Sequence, residues 1–263
     1  KNQMIMKTPS PLLLLLFLFT CISCKQSSSP SLSPSVGNNL TEPITPEPNP
    51  APIPRESTNE NKADKVVLAV EVNEDAVLCG NANFDLMATI NGAVKKYAGL
   101  KYSSADTADC SGIFHRVLFD IKEVCTEVSL PPFASRSSRA LALWYFEEER
   151  IQLVRNPEED GKLIEKGTVM FYGRPGQKYD FKTLTIDDLA RDGGIFHVAT
   201  VVDVKKDDTG KVISYDIFHA LNERKRAQVN TVLAKNPNYP DRPAYSYFTE
   251  YWVACAKILG PKK

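Results

Sequence analysis

Between Lys25 and Ala63 the chain carries eight prolines, all from Pro30 to Pro54, set among Ser, Asn and Thr with few large apolar residues. A stretch of that composition cannot bury enough apolar surface to offset the entropy of ordering it. Residues 24–64 are therefore expected to form a flexible Pro/Ser-rich tether, and everything able to build a core lies in residues 65–263. At about 3.1 Å per residue in extended polyproline geometry, the tether reaches on the order of 100 Å at most. Basic and acidic residues balance at 32 each, which argues against a nucleic-acid partner recruited by bulk charge.

Ahead of the tether, Lys7 and the apolar run Leu12–Phe19 are too short to span a bilayer and suit an export signal over residues 1–23. The chain begins at Lys1, with Met4 and Met6 as candidate start residues. The signal ends in Thr20-Cys21-Ile22-Ser23-Cys24, where a small residue directly before a cysteine resembles the lipobox of bacterial lipoproteins. That predicts Cys24 as the lipidated first residue of the mature protein, with Cys21 the weaker candidate and an ordinary secretory signal the alternative. Multiple acyl chains on Cys24 would hold the protein on a bacterial membrane, in the cell envelope or periplasm.

Within residues 65–263, the run Lys65–Val72 reads as a strand and Asn83–Tyr97 as a helix stopped by Gly99. Ala108-Asp109-Cys110-Ser111-Gly112 then precedes apolar residues at helical spacing, Ile113, Phe114, Val117, Leu118, Ile121 and Val124. The pattern predicts a helix from Cys110 to Cys125 with Asp109 as its N-cap and Cys110 in the first turn. At the positive end of a helix dipole a thiol pKa is expected to fall, and the thiolate is the nucleophilic form. His115, five residues on, points away from that thiol and reads as structural.

Further on, Ala140–Trp144 suggests a helical segment and Gly167–Gly173 a short strand bounded by glycines. Ile195–Val204 is apolar at nearly every position, as in a strand buried on both faces, and Asp207-Asp208-Thr209-Gly210 makes a hairpin turn into Val212–Ala220. His197 and His219 then sit at the same end of one hairpin. The aromatic run Tyr245–Leu259 completes an antiparallel sheet, and Gln228–Pro243 reads only as a loop beside the cleft. A thiol, a base and an orienting group are the parts of a nucleophilic triad.

In this order the residues resemble the NlpC-like cysteine peptidases of bacterial cell-wall turnover. Gly99-x-x-Tyr102 is similar to the family's Gly-x-Pro-Tyr, Asp109-Cys110-Ser111-Gly112 to its Asp-Cys-Ser-Gly, and Gly167-Thr168-Val169-Met170-Phe171 to its Gly-Asp-Leu-x-Phe. His197-Val198-Ala199 is similar to its His-Val-Gly, and Phe218-His219-Ala220 to its Ile-His-Ala. Lys101 stands where proline is usual, Ser103-Ser104 replace an aromatic and a glycine, and Thr168 replaces an aspartate. The resemblance implies an α+β, papain-like fold in which an antiparallel sheet packs against helices and the nucleophile sits at a helix N-terminus. It implies Cys110 as nucleophile, His197 as base and His219 as orienting residue, with Tyr102 able to join the Cys110 N–H at the oxyanion.

By the same resemblance, Asp109 and Ser111 would hold a free amino end of the substrate, Asp109 sharing that role with capping. The implied reaction is cleavage of peptidoglycan stem peptides beside D-glutamyl by a monomeric, cofactor-free enzyme. The alternatives are a CHAP-type amidase and a catalytically silent wall-binding lipoprotein. Cys79, Cys125 and Cys255 remain: in an exported protein Cys79 can pair with Cys125 or with Cys255, one staying single, and Cys125 on the buried helix face reads by default as a core thiol. No paired spacing of a metal site is present.

Overall fold

The computed structural model describes residues 73–221 and 225–261. The expected signal peptide, Cys24, the tether and the strand run Lys65–Val72 lie outside the described residues. Among the described residues, six α-helices, α1 (Glu74–Cys79), α2 (Leu86–Tyr97), α3 (Cys110–Val124), α4 (Ser138–Glu147), α5 (Pro157–Asp160) and α6 (Ile186–Ala190), accompany six strands. These are β1 (Ile151–Leu153), β2 (Thr168–Tyr172), β3 (His197–Lys206), β4 (Val212–His219), β5 (Gln228–Leu233) and β6 (Trp252–Lys257). The fold is α+β, with one antiparallel sheet in the order β1-β6-β2-β3-β4-β5.

Each long helix starts where a side chain takes up otherwise orphaned N–H groups. Asp85 caps α2 by accepting from Ala88 N at 2.9 Å, so the helix begins at Leu86 rather than Asn83, and Phe84 is buried ahead of it. Asp109 caps α3 by accepting from Gly112 N at 2.7 Å, and Ile113, Phe114, Val117, Leu118 and Ile121 form the buried face. Ser137 caps α4.

The sheet is covered on both sides over its centre. Along β2, Val169 and Phe171 join the larger cluster with the helices, while Met170 and Tyr172 join a second cluster on the opposite face. This is the two-residue period of a strand buried twice. In β3 only His197–Val201 is fully buried; Val202–Val204 are half-buried and Lys205 and Lys206 exposed, so the expected two-sided burial holds for the first half alone.

Three expectations are corrected. Gln228–Leu233 is not loop but edge strand β5, pairing His219 with Gln228 and Ile217 with Asn230. The final strand is confined to Trp252–Lys257, because positive φ at Tyr245 (61°) and Phe248 (50°) breaks the extended run before it. Cys125 is not a free core thiol: it forms a disulfide with Cys79, tying the end of α1 to the end of α3, and leaves Cys255 free and buried.

Candidate active site

The start of α3 is fixed by close approach as much as by capping. A Cβ on Gly112 would lie 2.4 Å from Thr107 C and 2.5 Å from Thr107 O, so only glycine lets the first turn pack on the preceding loop. That loop is clamped in turn by Arg116, whose Nε donates to Thr107 O at 3.0 Å and whose Nη2 donates to Asp106 O at 2.8 Å. Cys110 emerges half-buried from this turn.

Its Sγ lies 3.4 Å from Ser138 Oγ, at the beginning of α4. The backbone N–H donors of Val198, directly after His197, and of Ser111 also act to lower its pKa. Burial nonetheless pushes the thiol above its ordinary pKa, opposed by those donors and assisted by the Asp109 charge. The direction is opposite to the depression expected at a helix terminus, with desolvation as its largest cause.

The loop that leads into Ser138 holds the helix start at several points. Ser135 O meets His115 Nε2 at 2.9 Å, and Arg136 O accepts from Ser111 Oγ at 2.6 Å. His115 is a buried structural residue, as its position on the helix predicts. Asp109 and Ser111 flank the thiol as expected, but both are engaged by Arg136, which donates to Ser111 Oγ at 2.8 Å and forms an ion pair with Asp109 at 3.2 Å. Tyr102 is half-buried and packs on the same core cluster as Cys110, its N–H donating to Lys225 O at 3.3 Å.

On the sheet side the two histidines meet. His197 Nε2 lies 2.8 Å from His219 Nδ1, and His219 Nε2 lies 2.9 Å from Asn230 Oδ1. Gln228 Nε2 also donates to Asn230 Oδ1, at 2.7 Å, which marks that atom as the acceptor. The proton order follows along the chain. Asn230 accepts from His219 Nε2–H, which leaves a lone pair on His219 Nδ1 to accept from His197 Nε2–H. His197 then carries its free lone pair on Nδ1, the tautomer of a general base.

Burial lowers both histidines: His197 well below its ordinary range, helped by the neighbouring His219, and His219 to about 4, partly opposed by Asn230. The pair is neutral near pH 7. Tyr247 encloses it, stacked on His197 at 6.1 Å and edge-on to His219 at 5.0 Å, with its hydroxyl donating to Asn230 Oδ1 at 3.3 Å. Close by in sequence, Glu250 is buried, its Oε2 has no partner among the described residues, and burial pushes its carboxyl up to about 8.

The structure thus brings His197 and His219 together and packs α3, which begins at Cys110, on β3, which begins at His197. Sequence reasoning missed Arg136, Ser138, Asn230 and Tyr247. The β-type alternation of Val229, Thr231 and Leu233 was a signal for the strand that presents Asn230; nothing in the sequence links Arg136 to Asp109 across 27 positions. Among the described residues, no three His, Cys, Asp or Glu side chains gather as a metal site would need. Comparison with protein-family models gives no match, and neither does comparison with curated proteins.

Proposed function

We propose that residues 65–263 are a papain-like cysteine hydrolase of the NlpC type that cleaves peptidoglycan stem peptides beside D-glutamyl. The observation that supports this reading most is the His197–His219 contact of 2.8 Å, which leaves the Nδ1 lone pair of His197 uncommitted one residue before Val198, whose backbone acts on the Cys110 thiol. In this reading the Cys110 proton passes to His197 Nδ1 as Sγ attacks the amide carbonyl, so that thiol and base begin neutral and charge develops only during attack. The tetrahedral oxyanion forms beside the Cys110 N–H at the helix start, with the Tyr102 hydroxyl as a second donor. Collapse expels the amine with the proton held by His197, leaving a thioester. Water then attacks the thioester, giving its proton to His197 and releasing a carboxylic acid and the free thiol.

A lipid anchor at Cys24 and a long tether suit a polymeric substrate that lies away from the membrane, and the Cys79–Cys125 disulfide fits an exported protein. A second reading, a catalytically silent wall-binding lipoprotein, is favoured by one observation, the raised pKa of the Cys110 thiol.

The test is incubation of the full chain with purified peptidoglycan, in parallel with Cys110→Ala, and identification of products by mass spectrometry. A new amine at a peptide bond beside D-glutamyl, absent with the variant, is expected. An amine released at the sugar–peptide junction instead would indicate a CHAP-type amidase, and no product from walls of several chemotypes would favour the silent module.

A further inference from the structure

Asp109 and Ser111, which the resemblance gives to a free amino end, have their acceptors already occupied. Arg136 Nη1 donates to Asp109 Oδ1 at 3.2 Å and to Ser111 Oγ at 2.8 Å, while Nη2 donates to Asp109 Oδ1 at 3.2 Å and Oδ2 at 3.3 Å. Both carboxylate oxygens thus face one guanidinium, and Oδ1 also caps Gly112 N. The Ser111 hydroxyl directs its hydrogen to Arg136 O at 2.6 Å and its lone pair to the guanidinium. Arg136 is seated further by Phe133, whose ring centre lies 5.6 Å from the guanidinium carbon.

An ammonium entering here finds each acceptor atom of both residues already partnered and stands beside a like charge. To reach Asp109 it must break an ion pair whose side chains are only 25% and 14% exposed. Breaking a partly buried pair leaves one member unsatisfied, which is costly. An amide end carries no charge, and its carbonyl oxygen suits the N–H donors at the guanidinium rim.

Resting on the hydrolase reading above, we infer that Arg136 closes the amine subsite beside Cys110 and selects stem peptides whose amino end is acylated over those with a free ammonium. Its substrates are then stems still bonded through their amino end, not trimmed peptides. Arg136 is a specificity-determining residue that no motif around the nucleophile would reveal.

The test is calorimetric titration of the full chain carrying Cys110→Ala with two forms of the stem tripeptide alanyl-D-glutamyl-lysine, amino-free and N-acetylated. The acetylated form is expected to bind tighter by on the order of tenfold. Arg136→Gln in the same background should bring the amino-free peptide level with it or past it, by freeing Asp109 for the ammonium. Arg136→Lys, which keeps a cation at the site, should preserve the original order and serves if the glutamine variant does not fold. Equal or tighter binding of the amino-free peptide with Arg136 present overturns the inference, and so does binding of neither peptide. If walls are nevertheless cut by the Cys110 protein, only this inference fails; if they are not, the hydrolase reading fails independently.

Discussion

The two sides of the site are built on opposite electrostatic principles. The start of α3 is held by charge: Asp109, Arg136 and the helix N–H groups form a partly exposed ionic network around a half-buried thiol. The histidine side is held by neutrality: His197 and His219 are 1% and 0% exposed, and their neighbours Asn230, Tyr247 and Tyr172 bring no formal charge. A buried imidazole pair cannot afford a resting charge, so its order comes from a chain of donors and acceptors that fixes each tautomer. In the proposed hydrolase, the ionic side would position the nucleophile and screen what binds beside it, and the neutral side would decide which nitrogen acts.

The largest expected effect comes from removing the acting nitrogen. His197→Ala should lower amide hydrolysis by roughly 10²–10⁴-fold while leaving the thermal transition of the domain sharp, checked by product formation from walls together with calorimetry. A loss of folding alone would reduce the comparison to one of packing.

Next is the cost of neutrality in stability. His219, with a folded pKa of about 4, contributes fully above its unfolded value near 6.5, and this contribution is lost as pH falls through 4. Glu250 runs the other way: its folded pKa of about 8 makes its contribution complete below the unfolded value near 4.5 and lost as pH rises through 8. Glu250→Gln should therefore stabilise the protein at pH 8 relative to pH 5 by a few kcal/mol, on the order of 3, in urea titrations at the two pH values. An unchanged pH dependence would mean that the carboxyl is ionised and paired.

A smaller effect is expected at the far end of the relay. Asn230→Leu should reduce kcat by roughly 10–100-fold with KM little changed, because His219 loses the acceptor that fixes its tautomer. Asn230→Asp should instead move the acid limb of the kcat profile to higher pH, since a carboxylate favours protonated His219. A purely structural role would leave that limb in place.

On the ionic side, Gly112→Ala drives a methyl into the Thr107 backbone. It should destabilise the domain by about 1–3 kcal/mol, measured by denaturant unfolding. Little change would show that the loop before Cys110 yields, and that capping rather than close packing sets the helix start.

What the sequence made legible was local. Asp109 as cap, Cys110 in the first turn and the hairpin that pairs His197 with His219 all follow from short-range patterns whose physical meaning does not depend on distant residues. Neither the Asp109–Arg136 ion pair nor the His219–Asn230 bond was legible, because each joins segments whose contact exists only in the assembled fold. The thiol's pKa misled for a related reason. A helix terminus is visible in sequence and burial by neighbouring elements is not, and here burial is the larger effect. Tyr245 and Phe248 show the same limit on a smaller scale: their aromatic spacing suggests a strand that their positive φ values break.

The most direct test of the neutral relay is ¹⁵N NMR of the imidazoles in the full chain at pH 7, tractable because the sequence holds three histidines. His197 and His219 are both expected to be neutral, each protonated on Nε2 with a bare Nδ1, and His219 to stay so down to about pH 4. A proton on Nδ1 of His197, or a charged ring on either residue at pH 7, would contradict the neutral relay.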